Sequence, residues 1–233
     1  MIGAKFGKTS TIRFGLFLSS LLLGFTFVSP LHAEVKLKPS TTSSGYLALL
    51  LVNESPFPGE SGWVSETDTK DTMLSILWVC DNRISNIPSG YRQSQVAATT
   101  TNNIIDVITV GGEKGQCDGF YRDANGTPRT VPRIQKRVDY LTKIANQGSP
   151  GKFARLLNYA QGLANAYNSG GITQAELFAR VTQIQQIPVT GRAYSWMTNS
   201  DTYSPGGNFV RIPDSKQGKL GGNRFFTLRK LDE

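Results

Sequence analysis

The stretch "LALLLVNESPFPGE", Leu47 to Glu60, decides how the rest of the chain is read. It runs from Leu47 to Asn53 without a charge and then meets a carboxylate, Glu54. An unbroken run of Ala, Leu and Val predicts a short helix buried in a core. That helix ends on an acid rather than on a neutral cap. One reading turns the side chain out to water. The other sets the carboxyl at the lip of the core, where partial desolvation raises its pKa for proton transfer.

Upstream, Lys5, Lys8 and Arg13 precede the apolar stretch from Phe14 to Val28, and Pro30 and Ala33 follow. A basic start, an apolar middle and a small residue at the end predict a secretory signal peptide over residues 1–33, cleaved after Ala33. The apolar stretch is shorter than the roughly 20 residues a spanning helix needs, so no stable membrane span is expected after cleavage. No cysteine near the junction offers a lipid attachment site. The expected location is therefore outside the inner membrane: periplasm, cell envelope or medium. Residues 34–45, with "KPSTTSSG" from Lys38, read as a polar linker, and residues 46–233 as one domain with a core of its own.

The whole chain carries 25 basic and 17 acidic side chains. Losing Lys5, Lys8 and Arg13 with the leader leaves 22 against 17, a net charge near +5. A modestly cationic exported protein suits an anionic envelope polymer. It has no basic run with interleaved aromatics, so nucleic acid is not an expected partner. The single histidine, His32, falls inside the leader. The mature chain then has no imidazole, which excludes Ser-His-Asp and Cys-His catalysis and every His-ligated zinc site. No cofactor or metal is expected. Two cysteines remain, Cys80 and Cys117; an oxidising compartment permits a bridge, Cys80 lies on an apolar stripe that suits a buried thiol, and spacing leaves both open.

Downstream, Thr67–Ile84 carries Met73, Ile76, Leu77, Cys80 and Ile84 at helical spacing. "NIPSGY" from Asn86 is a turn, Thr101–Val110 a shorter helix stopped by Gly111-Gly112, and Gly115–Gly126 a loop. Asp123, Asn125 and Gly126 echo a calcium loop faintly, but the distal bidentate Glu is missing, which favours a plain turn. Pro132 opens a helix with Ile134, Val138, Leu141 and Ala145 on one face. Gly151–Tyr167 predicts another, with Phe153, Leu157, Ala160 and Ala164 inward. Thr173 and Glu176 form a capping-box pattern for a further helix to about Ile184. Beyond Pro188, Val189–Met197, Asn208–Ile212 and Arg224–Leu228 are aromatic and β-branched, and read as short strands. The fold class is α+β, mainly α-helical, with a small β or irregular C-terminal part.

Without imidazole the proton-transfer groups are carboxylates, Lys, Tyr and Cys. Glycoside cleavage is the common chemistry that runs on carboxylates alone. Glu66, Asp68 and Asp71 read as surface acids at a helix start, where the macrodipole favours them. Glu54 stands apart because of the apolar run before it.

Together "LALLLVNE…GE", the helix ending "VCDNRI", "GQCDGF" at Gly115, "GRAYSWMTN" at Gly191 and "LGGNRFF" at Leu220 come in an order that resembles the spore cortex-lytic cell-wall hydrolases. The resemblance implies a lysozyme-like fold acting on peptidoglycan glycan strands, with one catalytic glutamate at the end of the first helix, Glu54. In lytic transglycosylases of this kind the acid protonates the glycosidic oxygen after N-acetylmuramic acid, and the sugar's own 6-hydroxyl then attacks. Matched positions give Gln116 and Asn223 as residues that bind N-acetyl groups or position the acid, and Tyr194 and Trp196 as a strand face for a sugar ring, with core packing as the alternative for both aromatics. Asn82 and Arg83 are expected to anchor the end of the second helix. Residues 55–69 exceed the family's link, so Glu60 is the reserve acid, and Arg224 stands where the family has histidine. Three functions follow: a lytic transglycosylase, a hydrolytic muramidase using a second acid such as Asp71 or Asp118, and a non-catalytic peptidoglycan-binding envelope protein. Oligomeric state is silent in the sequence.

Overall fold

The computed structural model describes residues 34–147, 151–198 and 204–231, and the leader expected over residues 1–33 lies outside them. The opening stretch forms α1, Ser43–Asn53. Thr42 caps it, its hydroxyl accepting from the Gly45 N–H at 3.1 Å. Every residue from Ser44 to Val52 is buried, as a helix apolar on all sides requires. The expected linker is docked rather than free. Val35 is buried and exchanges two hydrogen bonds with the Asn146 amide, at 2.8 and 3.0 Å. Residues 38–39 press on α1 so closely that a Cβ at Gly45 would lie 2.1 Å from the Pro39 carbonyl oxygen.

The next helix, α2, spans Glu66–Ser85, capped by the Ser65 hydroxyl on the Asp68 N–H at 3.0 Å. Met73, Ile76, Leu77 and Cys80 are fully buried on its inner face. Two short helices follow, α3 at Gln93–Ala97, not foreseen from the sequence, and α4 at Ile104–Thr109. The expected loop of residues 115–126 contains β1, Phe120–Arg122, which pairs antiparallel with β2, Pro128–Thr130. Asp123 serves this hairpin turn: its carboxylate accepts from the N–H groups of Asn125 and Thr127, both at 3.0 Å, and from Arg129 at 2.9 Å. The predicted helix from Pro132 is α5, Pro132–Ala145, and the next is α6, Lys152–Asn168. Helices α5, α6 and α2 pack around α1, and this is the core.

The helix expected over residues 173–184 does not form. Glu176 is not a capping residue. It is 8% exposed, with its carboxylate turned inward to accept from the Ala193 N–H at 3.0 Å, Asn82 Nδ2 at 2.9 Å and Arg192 Nη1 at 2.8 Å. A buried carboxylate needs such partners, and they outcompete one local cap. The chain instead makes a small hairpin, β3 (Gln183–Ile184) with β4 (Ile187–Pro188). Then come β5 (Ser195–Thr198), β6 (Phe209–Arg211), β7 (Lys219–Leu220) and β8 (Asn223–Leu228). Strand β8 is central and buried throughout; β5 and β6 flank it, and β7 pairs with its first residues, all antiparallel. The turn from β7 into β8 uses Gly221 and Gly222 at φ 52° and 70°, a backbone that favours glycine. The chain is thus mixed helix and strand, with six α-helices and small sheets among the described residues.

Cys80 and Cys117 are free and buried. Burial pushes the Cys80 thiol up to about 12 and the Cys117 thiol well above its ordinary value. Neither thiol is expected to react with an aromatic disulfide reagent in the native protein at pH 8, and both should titrate at once in denaturant. A purified protein that shows none in denaturant would carry a bridge.

Candidate active site

Glu54 is the C-cap of α1. Its N–H closes the last helical turn on the Leu50 carbonyl at 2.9 Å, with φ −86° and ψ −1°. The apolar run therefore carries the chain through the core and releases it at the first place where a polar side chain has company. Asn53 Nδ2 donates to Oε1 of Glu54 at 2.9 Å, and Trp196 Nε1 on β5 donates to Oε2 at 3.1 Å. Asn223, at the start of β8, donates from Nδ2 to the Glu54 carbonyl oxygen at 2.7 Å. Burial drives the Glu54 pKa above the usual carboxylate value; the hydrogen bonds from Trp196 and Asn53, and the charges of Arg133 and Arg137, offset part of that rise.

Two cavities meet at this acid. The larger, about 950 Å³, is walled by residues 53–56 and 60–64 on one side and by Lys219 and Gly221–Asn223 on the other. The smaller, about 480 Å³, includes Arg83, Gln116, Asp118, Trp196 and Phe209. Glu54 and Thr198 line both. The arrangement is a groove with one carboxyl at its midpoint.

The structure brings Glu54, Trp196 and Asn223 into direct contact. Gln116 and Tyr194 lie differently from the sequence-based expectation. Gln116 lines the smaller cavity, where its Oε1 accepts from Arg83 Nη1 and its Nε2 donates to the Ala97 carbonyl at 3.1 Å, so part of its amide is engaged inside the protein and neither bond goes to Glu54. Tyr194 is 1% exposed, packs with Val96 and Leu228, and donates its hydroxyl to the Asn86 carbonyl at 2.7 Å. It is core, not a sugar platform. Asn82 and Arg83 anchor the end of α2, Asn82 on the Ala193 carbonyl at 3.1 Å and Arg83 on that of Tyr194 at 2.7 Å. The Arg83 guanidinium also sits 5.7 Å from the Trp196 ring, fixing the indole that holds Glu54.

Glu60, the reserve acid, is engaged by Arg137 of α5, with contacts of 2.9 and 2.5 Å, and accepts the Phe57 N–H at 2.7 Å. Arg137 also lines the larger cavity, and sequence reasoning missed it. Its other contacts are the carbonyls of Val52 at 2.6 Å and Ser55 at 3.0 Å, one on each side of Glu54. Of the second-acid candidates, Asp71 lines neither cavity, while Asp118 lines the smaller one and is paired with Arg133 at 2.6 Å. Comparison with models of known protein families, with curated proteins and with solved structures finds no match to this chain. The likeness to cortex-lytic hydrolases therefore rests on the ordered motifs alone.

Proposed function

We propose that the protein is an exported muramidase of the lytic transglycosylase type, with a lysozyme-like fold, that cleaves peptidoglycan glycan strands with Glu54 as its single acid and base. The observation that carries this reading is the position and state of Glu54: a carboxyl biased toward its protonated form, at the midpoint of a groove open on both sides. The protonated carboxyl gives its proton to the glycosidic oxygen as the bond from that oxygen to C1 of the muramic sugar breaks. The leaving sugar departs as an alcohol. The 6-hydroxyl oxygen of the same muramic residue then bonds to C1 and returns its proton to the carboxylate. Glu54 ends as it began, no water is consumed, and the product ends in a 1,6-anhydro sugar. Trp196 Nε1–H stabilises the carboxylate between the two transfers, and Asn223 fixes the backbone that carries it.

Digestion of purified sacculi followed by mass analysis of the muropeptides tests this, with anhydro ends as the expected product. The presence of Asp118 in the smaller cavity favours one other reading, hydrolysis with Asp118 positioning water; reducing ends that vanish in Asp118→Asn would establish it. Trp196→Phe removes a hydrogen bond to the anionic form of Glu54, so the pKa of the acid rises further. The alkaline limb of the pH–rate profile should then move to higher pH, with the maximal rate reduced because a weaker acid gives its proton less readily to the glycosidic oxygen.

A further inference from the structure

The link between α1 and α2, residues 55–65, has no helix or strand, yet it is fixed along its length. Glu60 is tied to Arg137 and to the Phe57 N–H, and the Trp63 N–H donates to the Glu60 carbonyl at 3.2 Å. Gly62 lies on the β7–β8 turn so closely that a Cβ there would be 3.0 Å from the Gly222 Cα. This wall offers the larger cavity the polar side chains of Ser55, Glu60 and Ser61 and, at its far end, the apolar pair Trp63 and Val64. Trp63 is half-buried and Val64 is 74% exposed, and both line the cavity that has Glu54 at its inner end. Among the described residues only Tyr140 is another large apolar side chain of comparable exposure.

The Trp63 indole packs in part on the core, with Lys152 Nζ 6.0 Å from its ring, and presents its remainder, with the exposed Val64 isopropyl group, to the cavity that Glu54 lines. Such an edge suits a ligand with flat apolar faces and polar edges, as a pyranose ring has. We propose that Trp63, flanked by Val64, is the platform of a distal subsite for a β-1,4-linked N-acetylhexosamine strand, gripping sugars beyond those at Glu54. The identity of the strand rests on the muramidase reading; the platform does not depend on cleavage. The larger cavity has about twice the volume of the smaller one, so the Trp63 side has room for more of the strand.

The test is binding in a Glu54→Gln background, where turnover is removed, using soluble N-acetylglucosamine hexamer and trimer by calorimetry and purified sacculi by pelleting. Trp63→Ala should weaken hexamer binding by about tenfold, the share of one aromatic contact, with the trimer affected less and sacculus pelleting reduced. Trp63→Phe keeps a ring and should restore most of the affinity, whereas Trp63→Leu keeps apolar packing without a ring and should stay weak, which separates a platform from a merely structural indole. Equal hexamer affinity with and without Trp63, at matched melting temperature, overturns the proposal. So does a protein that binds neither hexamer nor sacculi, or a concentration-dependent dimer lost in Trp63→Ala while glycan binding is unchanged. Trp63-dependent binding by a wild-type protein that cuts nothing leaves the subsite standing and removes the muramidase.

Discussion

Glu54→Gln is expected to lower the release of muropeptides from sacculi by about 100- to 10,000-fold, the range for loss of a general acid and base. Glutamine keeps the shape of the side chain and still accepts from Trp196 Nε1, so the groove stays intact. Glu60→Gln should cost less than about tenfold, because Glu60 braces a loop and does not face the junction of the two cavities. The same Glu54 variant should also be more stable than wild type at neutral pH. Burial raises the Glu54 pKa in the folded state above its ordinary 4.5, so the folded protein binds the proton more tightly than the unfolded chain does. That contribution to stability is present below about pH 4.5 and is lost as the pH rises through the folded value. The difference in melting temperature between variant and wild type should therefore grow from near zero in mild acid to a plateau above the folded pKa. A lost activity with no such stability signature would mean that the carboxyl is solvated and acts by some other route. Equal muropeptide release by variant and wild type would remove Glu54 from the mechanism.

Arg137→Met carries the second large effect, and it touches both fold and rate. One guanidinium serves the Val52 and Ser55 carbonyls and the Glu60 carboxylate, and lies 5.6 Å from the Phe57 ring. Removing it leaves acceptors without donors at a cost of about 1–3 kcal/mol, a fall of roughly 2–12 °C in melting temperature for a domain of this size. The rate should drop by about 100-fold, since the carbonyls on both sides of the acid lose their anchor. Arg137→Lys restores the charge without the fork and should recover stability more than rate. Thermal melts and sacculus digestion on the same preparations read both.

How much of this was legible beforehand depends on whether local pattern or distant partners decide a residue's fate. Helices α2, α5 and α6 announce themselves because their inward residues repeat at three and four positions, and burial of that stripe is what stabilises them. Thr173 and Glu176 have the spacing of a cap but not its outcome, since Arg192 and Asn82 claim the carboxylate from elsewhere in the chain. Glu54 was readable from the run of buried residues that precedes it. Trp196 and Asn223 became candidates through the order of motifs, and their hydrogen bonds to Glu54 span separations of 142 and 169 residues that no window detects. Tyr194 takes its core-packing alternative and Gln116 lines the smaller cavity with part of its amide engaged internally, since an amide or a hydroxyl looks available until its internal partner is known. Arg137 left one trace: it stands three residues after Ile134 and four before Leu141, a cation on an apolar stripe.

Strand β8 closes the molecule. It is the strand against which three others pair, and Asn223 at its start anchors the carbonyl of a glutamate made 169 residues earlier. Contacts of such long separation form late in folding. A polypeptide whose last quarter has not yet folded owns the acid but not the vise around it. On the muramidase proposal, a chain clipped before residue 219 should leave sacculi uncut however well its helices have set.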